Sequence, residues 1–483
     1  MRRHTLAFHV LFVLVLLCVG LVQAQGMTRR QDTPGPNGDI PSTSANAIYD
    51  GNLTYVKDSG ICETTPGVHQ VSGYINVSKD TYLWFWFFEA RTNPDTAPLT
   101  LWVNGGPGYS LAGNGFSYGA GSDYTIQGSA EQMWVAFQML FGSQEFSKFK
   151  DRRLIFATES FGARLGPAFI RYFNSQNERI DKGEIGGYKV GFTSMLVNNG
   201  GHDPLTQMTS LVDFTTNAPG YGRLQNETVV NEMKDALVIP DGCRDSLQRC
   251  ALADDSPTGS MTCKSAYVFC HRHVLAPAIR GRSATDLTRS STDPKFPPLA
   301  NYQRYIRSPE VMAKIGAISN YDQCSDPIKS AFIRSGETAR SSLGDLAELA
   351  NSRLPILIWA GDYDIKSNWI GVHNSMVAMN WYGNQMLNDT PYSIIQVGDE
   401  VVAEAKVVDS FSFARVYRAG HLLPSYQPKT AMAIFQGFVQ NNSLSNMIDQ
   451  TPQSSQANNA SAKRAKGWFV KSIALGAVTV ALL

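Results

Sequence analysis

The chain has 483 residues, of which 43% are hydrophobic and 11% aromatic, and its 42 basic and 41 acidic side chains nearly cancel. That balance leaves no electrostatic footprint for a nucleic-acid partner. The apolar fraction excludes a disordered chain and is ample for one large core, and neither an internal repeat nor a separate second domain is visible.

In chain order, Arg2-Arg3 precede an apolar run from Leu6 to Val22, broken only by His9, and Val22-Gln23-Ala24 suits a small-residue cleavage site. Residues 1–24 therefore read as a secretory signal peptide. Sequons at Asn52, Asn76, Asn226, Asn388 and Asn441 fit a secreted glycoprotein. Trp84, Trp86 and Trp102 are expected in core strands rather than against a substrate. Strand and helix patterns then alternate to about Asp203, and again from about Leu354, as in a mostly parallel sheet. Between them, roughly residues 204–352 hold a cysteine cluster and helix-like runs at Glu227–Leu237 and Ser342–Asn351. This stretch is expected to be an insertion capping the site. A main domain over 25–440 is followed by a Ser-, Asn- and Gln-rich stalk at 441–459. Small residues at Asn459-Ala460-Ser461, a basic Lys463-Arg464-Ala465-Lys466 and an apolar Trp468–Leu483 then predict a GPI-attachment signal for a cell-surface protein, with Asn459 taking the anchor and 460–483 removed. The apolar tail is short of the ~20 residues that a membrane-spanning helix needs.

Three strand ends carry the chemistry. Arg152-Arg153-Leu154-Ile155-Phe156-Ala157-Thr158-Glu159-Ser160-Phe161-Gly162-Ala163 runs an apolar strand into a serine with a small residue two before it and glycine two after. That is the layout of a nucleophile elbow, with Thr158 where glycine is usual. Ile356–Asp364 ends a second strand in Gly361 and two carboxylates, Asp362 and Asp364. Arg415–His421 ends a third in Gly420 and a histidine, with Pro424 and Pro428 beyond. A serine hydroxyl needs an imidazole to take its proton, and the imidazole needs a carboxylate to fix its tautomer. The order Ser, Asp, His is that of α/β-hydrolases.

Here the chain resembles the serine carboxypeptidases. Leu101-Trp102-Val103-Asn104-Gly105-Gly106-Pro107-Gly108 is similar to the family's oxyanion loop. Gly73-Tyr74-Ile75, Phe85–Arg91 and Asn198-Asn199-Gly200-Gly201-His202-Asp203-Pro204 match further blocks, and Ile61–Val68 is closer to the fungal carboxypeptidase S1 branch. The resemblance spans roughly Cys62 to Phe438 and implies an α/β-hydrolase fold, a mostly parallel central sheet with helices on both faces. It implies Ser160 as nucleophile, His421 as general acid and base, and Asp364, the second carboxylate of its strand end, as orienting partner. Gly106 and Phe161 would supply the oxyanion-hole N–H groups, and Asn104 and Glu159 would bind the substrate's free carboxylate. A glutamate facing a carboxylate must share a proton with it, so an acidic optimum is expected. The substrates implied are peptides with a free C-terminus, with no cofactor and no metal, the membrane being reached only through the lipid anchor. Arg164, beside the elbow, is expected at the pocket rim or on a solvated helix face.

The chain departs from the family after Gly108. Tyr109-Ser110-Leu111-Ala112-Gly113 is followed at once by Asn114-Gly115-Phe116-Ser117-Tyr118, so a block that includes a core strand is missing. Its loss is expected to leave backbone groups of the sheet without partners. Seven cysteines are present, Cys18 in the leader. For the cluster, the absence of C-x-x-C spacing in a secreted chain favours disulfides over zinc. The resemblance implies the nested pairs Cys243–Cys270 and Cys250–Cys263, and leaves Cys62 and Cys324 either paired with each other or free. Beside the carboxypeptidase reading stand an esterase or acyltransferase on the same triad, and a surface protein that has lost catalysis with the missing block.

Overall fold

The computed structural model describes residues 48–106, 114–119, 124–294, 299–323, 325–448 and 478–482. The expected signal peptide, Tyr109, Cys324, Asn459 and most of the expected stalk lie outside them. Among the described residues, no helix is long and apolar enough to cross a membrane.

One twisted sheet organises the chain. Its main strands are β1 (Ile48–Asp50), β2 (Leu53–Lys57), β3 (Gln70–Ser78), β4 (Thr81–Phe88), β5 (Leu99–Val103), β6 (Leu154–Glu159), β7 (Phe192–Asn198), β8 (Ile356–Gly361), β9 (Ser393–Val397), β10 (Glu400–Val408), β11 (Phe411–Val416) and β12 (Val478–Leu482), with the two-residue strand Tyr118–Gly119 beside β4. The spatial order is β1-β2-β3-β4-β12-β5-β6-β7-β8-β11-β10-β9. The central run from β12 to β11 is parallel, and both flanks are antiparallel. Alternation within the central strands explains why they read as continuous apolar runs. Leu154 and Phe156 of β6 point into one core with Ile356 and Ile358 of β8, while Ile155 and Ala157 point into the other with Leu357 and Trp359. Trp84 and Trp86 are fully buried, as expected of strand residues, and Trp102 is half-buried.

Helices cover both faces. In chain order they include α1 (Ile126–Gly142), α2 (Gly162–Asp181), α3 (Pro204–Thr216), α4 (Glu227–Val238), α5 (Cys243–Ala251), α6 (Pro257–Cys270), α7 (Asp326–Arg334), α8 (Leu343–Asn351), α9 (Trp369–Ala378) and α10 (Pro428–Asn441). Parts of the stretch 204–352 join three different cores. Helices α3 to α6 share their own apolar core, built from residues such as Phe214, Met233 and Leu247 and pinned by the disulfides Cys243–Cys270 and Cys250–Cys263. Ile306, Val311, Ile315 and Tyr321 instead pack on Tyr74, Trp84 and Trp86 of the antiparallel flank. Leu346 and Leu349 of α8 join the main core beneath α2. Cys62 carries a free thiol, half-buried, with burial raising its pKa to about 11.

The expected gap in the sheet is filled. β12, drawn from the tail, pairs parallel with β5 and antiparallel with β4. Five residues of the segment read from sequence as removable signal, Val478–Leu482, thus lie between two core strands.

Candidate active site

Ser160 closes β6 with φ of 52°, a left-handed conformation unusual for a residue with a side chain. The turn is tied on both sides: Ser160 N–H donates to the Asn198 carbonyl at 2.9 Å, and the Ser160 carbonyl accepts from Gly201 N–H at 3.0 Å. Helix α2 opens directly behind it, with Phe161 as its first flanking residue. A Cβ on Gly162 would sit 1.7 Å from Thr158 Oγ1, so this glycine is required, whereas Thr158 fits by donating its hydroxyl to the Val103 carbonyl at 2.7 Å. A Cβ on Gly105 would lie 2.5 Å from Ser160 Cβ, so the Asn104-Gly105-Gly106 backbone crosses immediately against the elbow.

Asp364 is fully buried and accepts His421 Nδ1 at 2.6 Å. The same oxygen accepts Asn199 Nδ2 at 2.9 Å, and its other oxygen accepts Ser367 N–H at 3.2 Å. An ionised carboxylate only accepts, so the proton sits on Nδ1 and Nε2 is left with a free lone pair. The histidine turn is anchored by its backbone. His421 N–H donates to the Thr285 carbonyl, and its carbonyl accepts Asn198 Nδ2, both at 3.0 Å. Asn198 therefore links the serine turn to the histidine turn. Among the described residues, no hydrogen bond joins the Ser160 hydroxyl to the imidazole; in ligand-free sites such contacts are often long and tighten with substrate.

Asp362 lies elsewhere. It is buried, within 3.6 Å of the Arg415 guanidinium, and accepts from the Tyr221 hydroxyl at 3.1 Å. Burial raises its pKa and Arg415 opposes the rise. Of the two carboxylates after β8, only Asp364 meets the histidine.

Glu159 is nearly enclosed, and burial pushes its pKa up to about 7 against the attraction of His421 and a hydrogen bond from Asn198. Among the described residues, its Oε2 has no hydrogen-bond partner. Asn104 is also buried, and its Oδ1 accepts Trp102 Nε1 at 2.6 Å, which orients the amide and leaves Nδ2 to donate. A buried carboxyl with a raised pKa and a buried amide thus stand on the two strand ends that meet at the elbow. Gly106, with φ of 83°, is described, but the rest of its loop from Pro107 is not.

Arg164 is neither at a rim nor solvated. It is buried under the insertion, donating to the carbonyls of Gly201 at 2.9 Å and Glu337 at 2.8 Å, with its guanidinium over the Phe161 ring. Asn199, Asn198, Trp102 and Thr285 are positioning groups to which the residue pattern alone assigned no role. The first two stand in the Asn198–Pro204 block and the third in the oxyanion-loop motif; Thr285 carries no signal. Asn52, Asn226, Asn388 and Asn441 are exposed, while Asn76 is half-buried in β3. Among the described residues, no cluster of His, Cys, Asp and Glu could hold a metal ion.

Comparison with known proteins gives a consistent result. The family model described as serine carboxypeptidase matches residues 60–112 and 109–441, two pieces that meet where the block is missing. Carboxypeptidase S1 of Penicillium janthinellum is 32% identical over 433 aligned residues, covering 81% of this chain and 100% of that protein. Carboxypeptidase S1 homolog B of Arthroderma otae is 28% identical, covering 88% and 81%. Among solved structures, the prohormone-processing carboxypeptidase Kex1(delta)p of Saccharomyces cerevisiae matches in fold, with a TM-score of 0.61 at 17% identity over 77% of this chain and 92% of that one.

Proposed function

Because the chain belongs to the serine carboxypeptidase family, we propose that it removes C-terminal amino acids from peptides through an acyl-enzyme on Ser160. The observation that carries this reading is the adjacency of Glu159 and Ser160. A buried carboxyl with a pKa of about 7 stands one residue from the nucleophile, and it suits a substrate that ends in a free carboxylate next to the bond being cut.

The substrate's terminal carboxylate shares the Glu159 proton and accepts from Asn104 Nδ2. His421 Nε2 takes the Ser160 proton as Oγ attacks the last peptide carbonyl, and Asp364 stabilises the imidazolium. The N–H groups of Gly106 and Phe161 meet the oxyanion. The C–N bond breaks as His421 returns the proton to the leaving amino acid. Water, deprotonated by His421, then releases the shortened peptide and restores Ser160. The cystine-pinned insertion and the leader fit a protein of the secretory pathway acting outside the cell. A lipid anchor at Asn459 would require excision of 460–483, and so competes with the role of β12.

The test is a mass ladder. A mixed-sequence decapeptide incubated at mildly acidic pH should lose residues one at a time from its C-terminus, and Ser160→Ala should abolish the ladder. Internal cleavage, or an unchanged ladder in Ser160→Ala, would refute the assignment.

A further inference from the structure

We propose that the space between β4 and β5 is a strand-acceptor slot and that Val478–Leu482 is its resident strand, so that the tail is a structural part of the sheet rather than a dispensable signal. The register supports this on both sides. Val478 to Leu482 align residue for residue with Leu99 to Val103, and Thr479 to Leu482 align in reverse with Phe88 to Phe85. Both neighbours belong to the interior, since Phe85, Phe87, Leu101 and Val103 are wholly buried. With the slot open, the facing N–H and C=O groups of β4 and β5 would lose their partners inside a core.

Among the described residues, the local chain supplies no strand for this slot. Between β5 and α1, the only described strand is Tyr118–Gly119, which covers just the Thr81–Tyr82 end of the β4 edge. Further along that edge, Phe85–Phe88 is covered by β12. The two pieces of the family match also meet in this interval. The occupant has suitable chemistry: Val-Thr-Val-Ala-Leu carries no charge and no proline, and β-branched residues suit a strand with neighbours on both edges.

The experiment uses the full secreted chain with Thr100→Cys and Thr479→Cys, a directly paired couple, in a Cys62→Ser background. Directly paired strand residues lie within the separation that a disulfide accepts. We expect a non-reduced digest to contain a peptide joining positions 100 and 479 within one chain. A second version of the protein, ending at Lys466, should melt lower by on the order of 10 °C, or fail to be secreted. Three results would overturn the proposal: a mature protein that has lost 460–483 and carries lipid at Asn459, a 100–479 link found only between two chains, or a Lys466-terminated chain as stable as the full one.

Discussion

At the residue scale, the site works through groups whose neighbours set their state. Glu159 is the most informative, because its raised pKa gives a sign. Below about pH 7 it is protonated and can share that proton with a substrate carboxylate; above, two like charges face each other. KM for an N-blocked dipeptide should therefore rise as pH passes 7, by up to about tenfold per unit. Glu159→Gln should remove that dependence and leave a substrate without a free carboxylate little affected. An unchanged KM profile in Glu159→Gln would contradict the role. Asn199 bonds the same Asp364 oxygen as His421 does. Asn199→Ala should lower kcat by roughly 10- to 100-fold with KM nearly constant, since a small misplacement of a catalytic group is costly; a change confined to KM would argue against it. The serine, the paired carboxylates and the histidine were legible because each ends an apolar strand in sequence. Thr285 was not, because it contributes only a carbonyl, brought to His421 by folding over 136 positions of chain.

At the element scale, local signals located elements better than they assigned partners. The helix expected over Glu227–Leu237 runs Glu227–Val238, started by an Asn226 cap, and that expected over Ser342–Asn351 runs Leu343–Asn351. Yet the second packs on α2 in the main core while the first belongs to the cystine-pinned lobe. Apolar periodicity shows that a face is buried and says nothing of what buries it. Arg164 illustrates the same limit: read as rim or solvent, it bonds two carbonyls beneath the insertion. Both nested disulfides close loops within that lobe, so their loss should be felt there. Replacing Cys250 and Cys263 by serine should cost about 3 kcal/mol in the chain-entropy model, measurable as a lower denaturation midpoint. An unchanged midpoint would show that helix packing alone holds the lobe.

At the scale of the whole molecule, the sheet is the frame that brings distant strand ends together. β6, β7, β8 and β11 are successive neighbours, so Ser160, Asn198 and Asn199, Asp364 and His421 all emerge at one edge. That much follows from the alternating pattern in the sequence. The origin of the strand between β4 and β5 does not, because it comes from a tail whose composition resembles a removable signal. A deficit in the sheet was predictable from the missing block, but not the segment that covers it. Catalysis by this chain is the claim on which the rest depends. The most direct measurement is the release of the C-terminal amino acid from an N-blocked dipeptide by the purified protein at mildly acidic pH, alongside Ser160→Ala. Turnover by the first and none by the second is the expected result; a soluble, folded chain with no turnover, or equal turnover by both, would contradict it.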